Sequence, residues 1–444
     1  MTKVDISYRK IWLVAYPILL GSIAQNLINF TDTAFLGRVG EIALGAGALG
    51  GIFYLAVIML GLGFSTGAQI IIARRNGEGD LKKIGQLIDQ SLYFMLPLAI
   101  LAYLLLRYGS IDILRFSVES NSIFNESVVY MKYRSVGIFF AFGNMIFRAF
   151  YVGLAKTKVI TYTTVVLAIV NIILDYVLIF GKFGFPEMGV AGAALASVIA
   201  EATALVYFIA YTYVKIDFSD YNLFRFCAPN LKQQKAILKV AVPIMMQQFI
   251  SLSVWFVFFL FIEKLGEMAL AVSNIIRSIY VILMIPVWGF ATATNTLVSY
   301  LIGLKKQDHV MFLIGKIVLM CFSGVFLFST VGFLFPRIIM SVYTPDILLI
   351  NMGIPVLRII CLGALFLSVG FILFNGISGT GKTNISLIIE LVVLGFYLAY
   401  TYFIINIFGA NVTIAWTSEI VYGSLLSILS FAYLRSNKWK SSKI

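Results

Sequence analysis

Twelve stretches of roughly 20 or more mostly apolar residues follow one another along this sequence, and each can cross a hydrocarbon core of about 30 Å as a helix. Hydrophobic residues make up 61% of the chain and charged residues only 12%, which is far outside the range of a soluble domain. We therefore predict an all-α polytopic membrane protein with twelve transmembrane helices and no large soluble domain. The approximate spans are residues 12–36, 43–72, 88–106, 128–150, 159–181, 188–214, 237–262, 270–301, 312–334, 352–376, 385–408 and 411–434.

The sequence repeats itself at a distance of 226 residues, the separation of Pro17 and Pro243. The same shift aligns residues 63–66 with 289–292 and residues 153–157 with 379–383. Each half has an even number of spans, so both halves enter the membrane from the same side as parallel repeats. We predict a first lobe of residues 1-214, a cytoplasmic linker of residues 215-236 and a second lobe of residues 237-444. Two such lobes around a central cavity are typical of an alternating-access carrier.

The distribution of basic residues indicates how the chain is oriented in the membrane. The formal net charge is +13, and with a cytoplasmic N-terminus most lysines and arginines fall in cytoplasmic connections, as the positive-inside rule requires. Nucleic acid is therefore not the expected partner. We place both termini in the cytoplasm and the chain in the plasma membrane, with a bacterial inner membrane as the expected site. The first apolar run is interpreted as a membrane helix and not as a cleaved signal peptide. Membrane lipids are expected partners, and we expect a monomer.

Two acidic residues lie well inside apolar stretches of the first half. A carboxylate at mid-helix costs roughly 2.5 to 3.5 kcal/mol on insertion scales, so it is expected to face the bundle interior and to pair, protonate or bind a cation. Asp32 lies in the first span and Asp175 in the fifth. Asn171 precedes Asp175 by one helical turn, and Ser197 lies at a similar depth in the sixth span. These four side chains form a candidate all-oxygen site for Na⁺, or a carboxylate pair that shares a proton. The alternatives are an interhelical hydrogen bond for Asp32 and simple helix packing for Ser197.

Other residues within the spans are candidates for lining a cavity or a proton path, namely Glu201, Glu390 and Arg277, with Glu419 as a further acid of this kind. Pro17 lies near the start of the first span and is a candidate hinge. The three cysteines show no paired spacing, and the chain has a single histidine. Such a chain offers no metal cluster and no nucleophile with its base, so we expect neither an enzyme nor a bound cofactor other than the coupling ion.

One motif matches a nucleotide-binding pattern and is rejected. Residues Gly376 to Thr383 read GISGTGKT, which fits the phosphate loop G-x-x-x-x-G-K-[ST]. That loop needs a preceding strand in a soluble α/β domain, whereas apolar spans flank this segment on both sides. Its repeat equivalent, residues 153–157, keeps Gly, Lys and Thr but loses the nucleotide pattern. We interpret both segments as cytoplasmic turns between helices.

Several motifs together resemble the multidrug and toxic compound extrusion (MATE) family over essentially the whole chain. They are Pro17 with Asp32 in the first span, FLGRVGEIALGA after it, GLAKTK before the fifth span, NIILD at residues 171–175 and GVAGAALAS at residues 189–197. The resemblance implies two lobes in a V shape that export amphiphilic, often cationic, compounds in exchange for inward H⁺ or Na⁺. It also implies a first-lobe cation site formed by Asp32, Asn171, Asp175 and a hydroxyl on the sixth helix. Ser197 supplies that hydroxyl here, where family members often carry threonine.

The second half lacks acids at the equivalent positions. Phe258 stands at the repeat equivalent of Asp32, and Thr401 at that of Asp175. In the branch similar to NorM, second-lobe acids contribute to coupling, so this chain resembles the DinF-like branch more closely.

The sequence thus predicts a cation-coupled antiporter that exports small amphiphilic compounds, often cationic drugs or toxic compounds, by alternating access. It leaves open the identity of the cargo and the choice between H⁺ and Na⁺. The first alternative is a lipid-linked oligosaccharide flippase of related architecture, which tends to carry more spans or a strongly cationic cavity. The second is a structural or receptor-like membrane protein without transport.

Overall fold

The computed structural model describes residues 6–440, and its regular structure within that range is helical. The helices of the first repeat and of the linker are α1 (Tyr8–Val39), α2 (Glu41–Glu78), α3 (Leu81–Leu104), α4 (Ser110–Ser117), α5 (Asn121–Arg134), α6 (Gly137–Gly153), α7 (Lys158–Ile179), α8 (Gly189–Lys215) and α9 (Phe218–Tyr221). Those of the second repeat are α10 (Leu231–Glu263), α11 (Glu267–Gly303), α12 (Val310–Leu334), α13 (Pro336–Tyr343), α14 (Ile347–Gly379), α15 (Thr383–Tyr402), α16 (Val412–Ala415) and α17 (Ser418–Arg435).

Eleven helices or continuous helical runs among the described residues are long and apolar enough to cross a membrane. A twelfth candidate span is the bent pair α5 and α6, whose axes differ by 49°. The predicted all-α polytopic membrane fold is therefore confirmed, with eleven spans or, with the bent pair, twelve. The repeat is visible in the helices as well, since α4 and α13 begin 226 residues apart, at Ser110 and Pro336.

The fourth span differs from its predicted form, a single helix over residues 128–150. The chain bends after Arg134, where the amide of Val136 donates to the carbonyl of Tyr133 and the amide of Ile138 to that of Ser135. These three-residue steps replace the four-residue steps of an α-helix, so the helix axis changes direction. The bend leaves Arg134 as the last residue of α5.

The chain forms two compact units. They are divided between Leu19 and Leu20 and between Met245 and Met246. The middle unit runs from Leu20 to Met245, and the other unit holds the segments on either side of it. The first part of α1 thus clusters with the second repeat, and the first part of α10 with the first repeat. The predicted lobes, 1-214 and 237-444, describe the sequence repeat. The compact units are divided inside α1 and α10 instead, and the middle unit also contains the predicted linker, residues 215-236.

Close glycine contacts explain where these two segments pack. A Cβ atom on Gly67 of α2 would lie 2.5 Å from the Cα of Ala241 in α10, within the middle unit. In the other unit, a Cβ on Gly289 of α11 would lie 2.8 Å from the Cγ of Leu19 in α1. At Gly67 a side chain would collide with the backbone of α10, so only glycine permits that approach, whereas at Gly289 the missing side chain leaves room for the Leu19 side chain.

The turns that follow α6 and α14 are also repeat equivalents. Ala155 and Gly381 adopt left-handed backbone conformations, with φ of 56° and 85°. The segment with the phosphate-loop pattern is accordingly the last turn of α14, a short connection and the first residue of α15.

Candidate functional site

Helices α7 and α8 pack closely and bring three of the predicted site residues together. Gly192 of α8 faces the backbone of Leu178, where a Cβ atom would lie 2.7 Å from the carbonyl carbon. This contact lets the two helices approach, and an apolar cluster of Val177, Leu178 and Ala196 fills the space beside it. Asn171 lies opposite α8, and its Nδ2 donates to the Oγ of Ser197 at 3.5 Å.

Asp175 lies one turn beyond Asn171 on α7, and both side chains are buried, with 0% and 1% of their surfaces exposed. The half-buried carboxyl group of Asp32, from α1, lies near that of Asp175, so the charges of the two groups act on each other. The structure therefore brings Asp32 beside Asp175 and Asn171 beside Ser197, all within the middle unit.

The oxygen atoms of this group are suited to binding a cation. Four buried oxygens have no hydrogen-bond partner within residues 6–440, namely Asp32 Oδ1, Asp175 Oδ1, Asp175 Oδ2 and Asn171 Oδ1. Two adjacent carboxylates repel each other strongly in a medium of low dielectric constant, so a proton or a cation between them stabilises the pair. Uncharged and carboxylate oxygens are the ligands of hard cations such as Na⁺, and the residues present fit such an ion or a shared proton.

A buried ion pair lies in the same unit and was missed from the sequence. Arg134 of α5 and Glu201 of α8 form two hydrogen bonds, Nη1 to Oε2 at 2.9 Å and Nη2 to Oε1 at 2.6 Å. The Tyr54 hydroxyl from α2 donates to both carboxylate oxygens of Glu201, at 3.3 and 3.1 Å. Glu201, a predicted candidate for a cavity or proton path, thus has its charge compensated in this structure. The sequence did offer one unused signal, an arginine inside the predicted span of residues 128–150.

The other compact unit contains two buried glutamates with hydroxyl partners. Glu390, 2% exposed, accepts hydrogen bonds at Oε1 from Ser251 Oγ at 2.7 Å and from the Tyr422 hydroxyl at 2.8 Å. Glu419, 3% exposed, accepts from the hydroxyls of Tyr397 at 3.1 Å and Tyr280 at 3.4 Å. Neither carboxylate forms an ion pair within the part of the chain that the structure describes.

The tyrosine partners of these acids were not singled out from the sequence. One signal was available, since Tyr54 and Tyr280 are repeat equivalents and each donates to a glutamate of its own unit.

The remaining predicted residues lie apart from these groups. Arg277 is exposed, and its guanidinium lies 5.4 Å from the centre of the Phe259 ring. Pro17 lies inside α1, two residues before the division point at Leu19. Phe258 is fully buried against the aromatic rings of Phe259 and Trp416, with centroids at 5.7 and 5.1 Å.

Comparison with known proteins gives two family matches in one chain. The family model MatE matches residues 17–177 and again residues 243–403, which reproduces the 226-residue repeat. A curated protein of Thermotoga maritima named probable multidrug resistance protein NorM is 28% identical over 444 residues, covering 97% of this chain and 93% of that protein. A protein of Bacillus cereus with the same name is 24% identical over 394 residues, covering 87% and 86%.

Solved structures share the fold. An outward-facing multidrug resistance MATE family transporter of the MOP superfamily matches with a TM-score of 0.90 at 20% identity, over 96% of this chain and 95% of that chain. A MOP superfamily transporter from Pyrococcus furiosus, whose binding pocket is described as having reverse polarity, matches with a TM-score of 0.88 at 20% identity, over 97% and 95%.

Proposed function

The chain belongs to the MatE family, and on that premise we propose that it exports amphiphilic, often cationic, compounds in exchange for inward H⁺ or Na⁺. The observation that carries the proposal is the pair of adjacent carboxyl groups, Asp32 and Asp175. Three of their oxygens and the Asn171 Oδ1 are buried without a hydrogen-bond partner within residues 6–440. Asp32, Asp175, Asn171 and Ser197 are the residues we assign to the cation.

The proposed mechanism follows from the charge of this group. A bound H⁺ or Na⁺ supplies the positive charge that removes the repulsion between the two carboxylates. Asp32 is carried by α1 and Asp175 by α7, so the charge state of the pair favours different positions of α1. Pro17 lacks a backbone amide donor and is the proposed hinge at which α1 bends. Two states of the transporter with different affinities for cation and cargo then produce antiport.

The energy available is sufficient for export. A tenfold cation gradient supplies about 1.4 kcal/mol per cation, and in one-for-one exchange it sustains about a tenfold cargo gradient in the opposite direction. Any net charge moved inward adds about 2.3 kcal/mol per 100 mV of membrane potential.

We assign the protein to a bacterial inner membrane, as a monomer in contact with lipids and with cytoplasmic termini; residues 1–5 and 441–444 lie outside the described part of the chain. The basic connections support this orientation through the positive-inside rule.

The branch of the family, DinF-like or NorM-like, is a separate question. The curated relatives carry the name NorM, so they give the DinF-like assignment no support, and it rests on Phe258 and Thr401 alone.

The deciding experiment is transport of ethidium, a fluorescent aromatic cation, into inverted membrane vesicles that contain the protein. H⁺ and Na⁺ gradients are imposed one at a time. The proposal predicts accumulation that needs one of these gradients and that collapses with an ionophore for that cation. No gradient-driven accumulation of ethidium or of other amphiphilic cations, together with translocation of a lipid-linked oligosaccharide, would instead establish the flippase function. A protein without transport would move neither.

Ser197 is expected to contribute through Asn171. Replacing Ser197 by alanine removes the acceptor that orients the Asn171 amide, and a hydrogen bond of this kind contributes about 0.5 to 1.5 kcal/mol. We therefore expect the cation concentration at half-maximal ethidium transport to rise roughly two- to tenfold. Ser197→Thr keeps the hydroxyl and is expected to retain the wild-type value. Equal values for the alanine variant and the wild type would remove Ser197 from the site.

Glu390 is the second-repeat acid that we propose as part of a proton path. Its Oε1 accepts two hydroxyl hydrogen bonds, whereas its Oε2 is buried without a partner within residues 6–440. Glu390→Gln keeps the size of the side chain but cannot carry a proton, so we expect a several-fold slower initial rate with gradient dependence retained. Glu267→Gln, at the exposed start of α11, is the matched control. A wild-type rate for Glu390→Gln at every pH tested would exclude this role.

A further inference from the structure

The ion pair between Arg134 and Glu201 is tightly packed inside the middle unit. The guanidinium carbon of Arg134 lies 3.5 Å from the centre of the Tyr54 ring, and the side chain is largely buried. Gly137 borders the pair, since a Cβ atom there would lie 2.5 Å from Glu201 Oε2 and closer still to Arg134 Nη1. Replacing a buried ion pair by apolar residues is often neutral or stabilising, so stability alone is a weak explanation for its presence.

The pair lies within electrostatic reach of the proposed cation site. Glu201 lies one helical turn after Ser197 on α8, so the pair adjoins the proposed site along one helix face. The positive charge of Arg134 is accordingly near enough to act on Asp32. Tyr130, four residues before Arg134 on α5, lies on the same face of that helix as Arg134. The titratable groups of this neighbourhood are therefore Asp32 and Asp175, the Arg134 and Tyr130 side chains of α5, Glu201 of α8 and Tyr54 of α2.

The net charge of this group determines how the ion pair affects cation binding at the Asp32 and Asp175 site. Three carboxylates, those of Asp32, Asp175 and Glu201, share the group with one guanidinium, so two negative charges stay uncompensated when all are ionised. Arg134 and a coupling cation are both positive, so they compete for electrostatic attraction to the Asp32 carboxylate. Glu201 opposes that competition, because its two hydrogen bonds hold and partly neutralise the guanidinium.

We propose that Arg134 and Glu201 set the cation affinity of the Asp32 and Asp175 site in opposite directions, with Arg134 lowering the affinity and Glu201 raising it. This inference rests on the proposed function of that site. An affinity lowered in this way allows a transporter to release its cation after each cycle. The two residues are positioning residues, since they act through Asp32 and not by contact with the cation.

The test compares single and double charge removals by the concentration of cation at half-maximal ethidium transport, measured with NaCl at fixed pH and with pH at fixed Na⁺. Arg134→Gln is expected to lower the half-maximal concentration on the order of tenfold, and Glu201→Gln to raise it on the order of tenfold. The double variant is expected to lie closer to the wild type than either single variant, because each change cancels the charge exposed by the other. Arg148→Gln removes a half-buried arginine from α6 of the same unit and is the matched control, with no shift expected.

A purely structural pair would behave differently, since both single variants would then lose activity without opposite shifts. Shifts of the same sign, or no shift in either variant, would overturn the inference. If Arg134→Gln does not fold, Arg134→Lys retains the charge and loses the two-pronged geometry. The lysine variant is then expected to keep the wild-type half-maximal concentration even at a lower protein yield, and a large shift would count against the proposal. Loss of coupling in Asp32→Asn, with no shift in the Arg134 and Glu201 variants, would refute this inference alone and leave the proposed function standing.

Discussion

Replacing Asp32 by asparagine is expected to abolish gradient-driven export while leaving a folded protein. Asparagine has nearly the same size as aspartate, so the packing of α1 is preserved. It removes the negative charge, however, and Asp175 then has no second carboxylate with which to hold a proton or a cation. The expected ethidium accumulation in inverted vesicles is that of vesicles without the protein.

The matched control for this substitution is Asp112→Asn. Asp112 is exposed in α4, so the same chemical change there is expected to leave both export and yield at wild-type levels. Asp175→Asn is expected to reproduce the loss seen for Asp32. If the Asp32 variant accumulated ethidium as well as the wild type, with the same gradient dependence, Asp32 would have no role in coupling.

The second large effect is expected at the repeat equivalent of Asp32. Phe258→Asp is expected to destabilise the protein severely. The Phe258 ring is fully buried, and truncating such a side chain costs about 3 to 5 kcal/mol. The new carboxylate adds a burial cost of at least about 2.5 kcal/mol. The nearby Tyr397 hydroxyl already donates to Glu419, so it offers the new acid no free donor.

Stability is measured by the yield of monodisperse protein in detergent and by its thermal unfolding midpoint. Phe258→Leu keeps an apolar side chain at this position and is expected to lose far less of both. A Phe258→Asp variant that folded as well as the wild type, and that transported with a second cation dependence, would contradict the view that the second repeat keeps only the scaffold at this position.

The sequence predicted the fold because its strongest signals are local. Long apolar runs determine which segments form membrane helices, and the 226-residue shift predicts that helices recur in the same order. The grouping of Asn171 with Asp175 is equally local, since residues four apart share a helix face. Depth in the membrane brought Asp32 and Ser197 to the same level, and the structure places them beside these two residues.

The missed features depend on neighbours that are distant in the sequence. Arg134 lies near the start of a predicted span, where a basic side chain usually extends to the membrane surface. In the structure it lies at the end of α5, just before the bend, and pairs with Glu201 of α8. Likewise, apolar composition does not say which helix the start of α1 packs against. In the structure, the missing side chain of Gly289 leaves room for Leu19, a contact between residues far apart in the sequence.

Coupling of cargo and cation transport at Asp32 and Asp175 can be observed by measuring cation movement while cargo moves, in proteoliposomes with purified protein. Ethidium is added to one side without any imposed cation gradient, and the internal pH and internal ²²Na⁺ are followed. Ethidium influx is expected to drive efflux of one of these cations in the wild type, and this efflux is expected to disappear in Asp32→Asn and Asp175→Asn. Ethidium movement without any cation movement in the wild type, or unchanged cation efflux in both variants, would show that these two residues do not couple the movements.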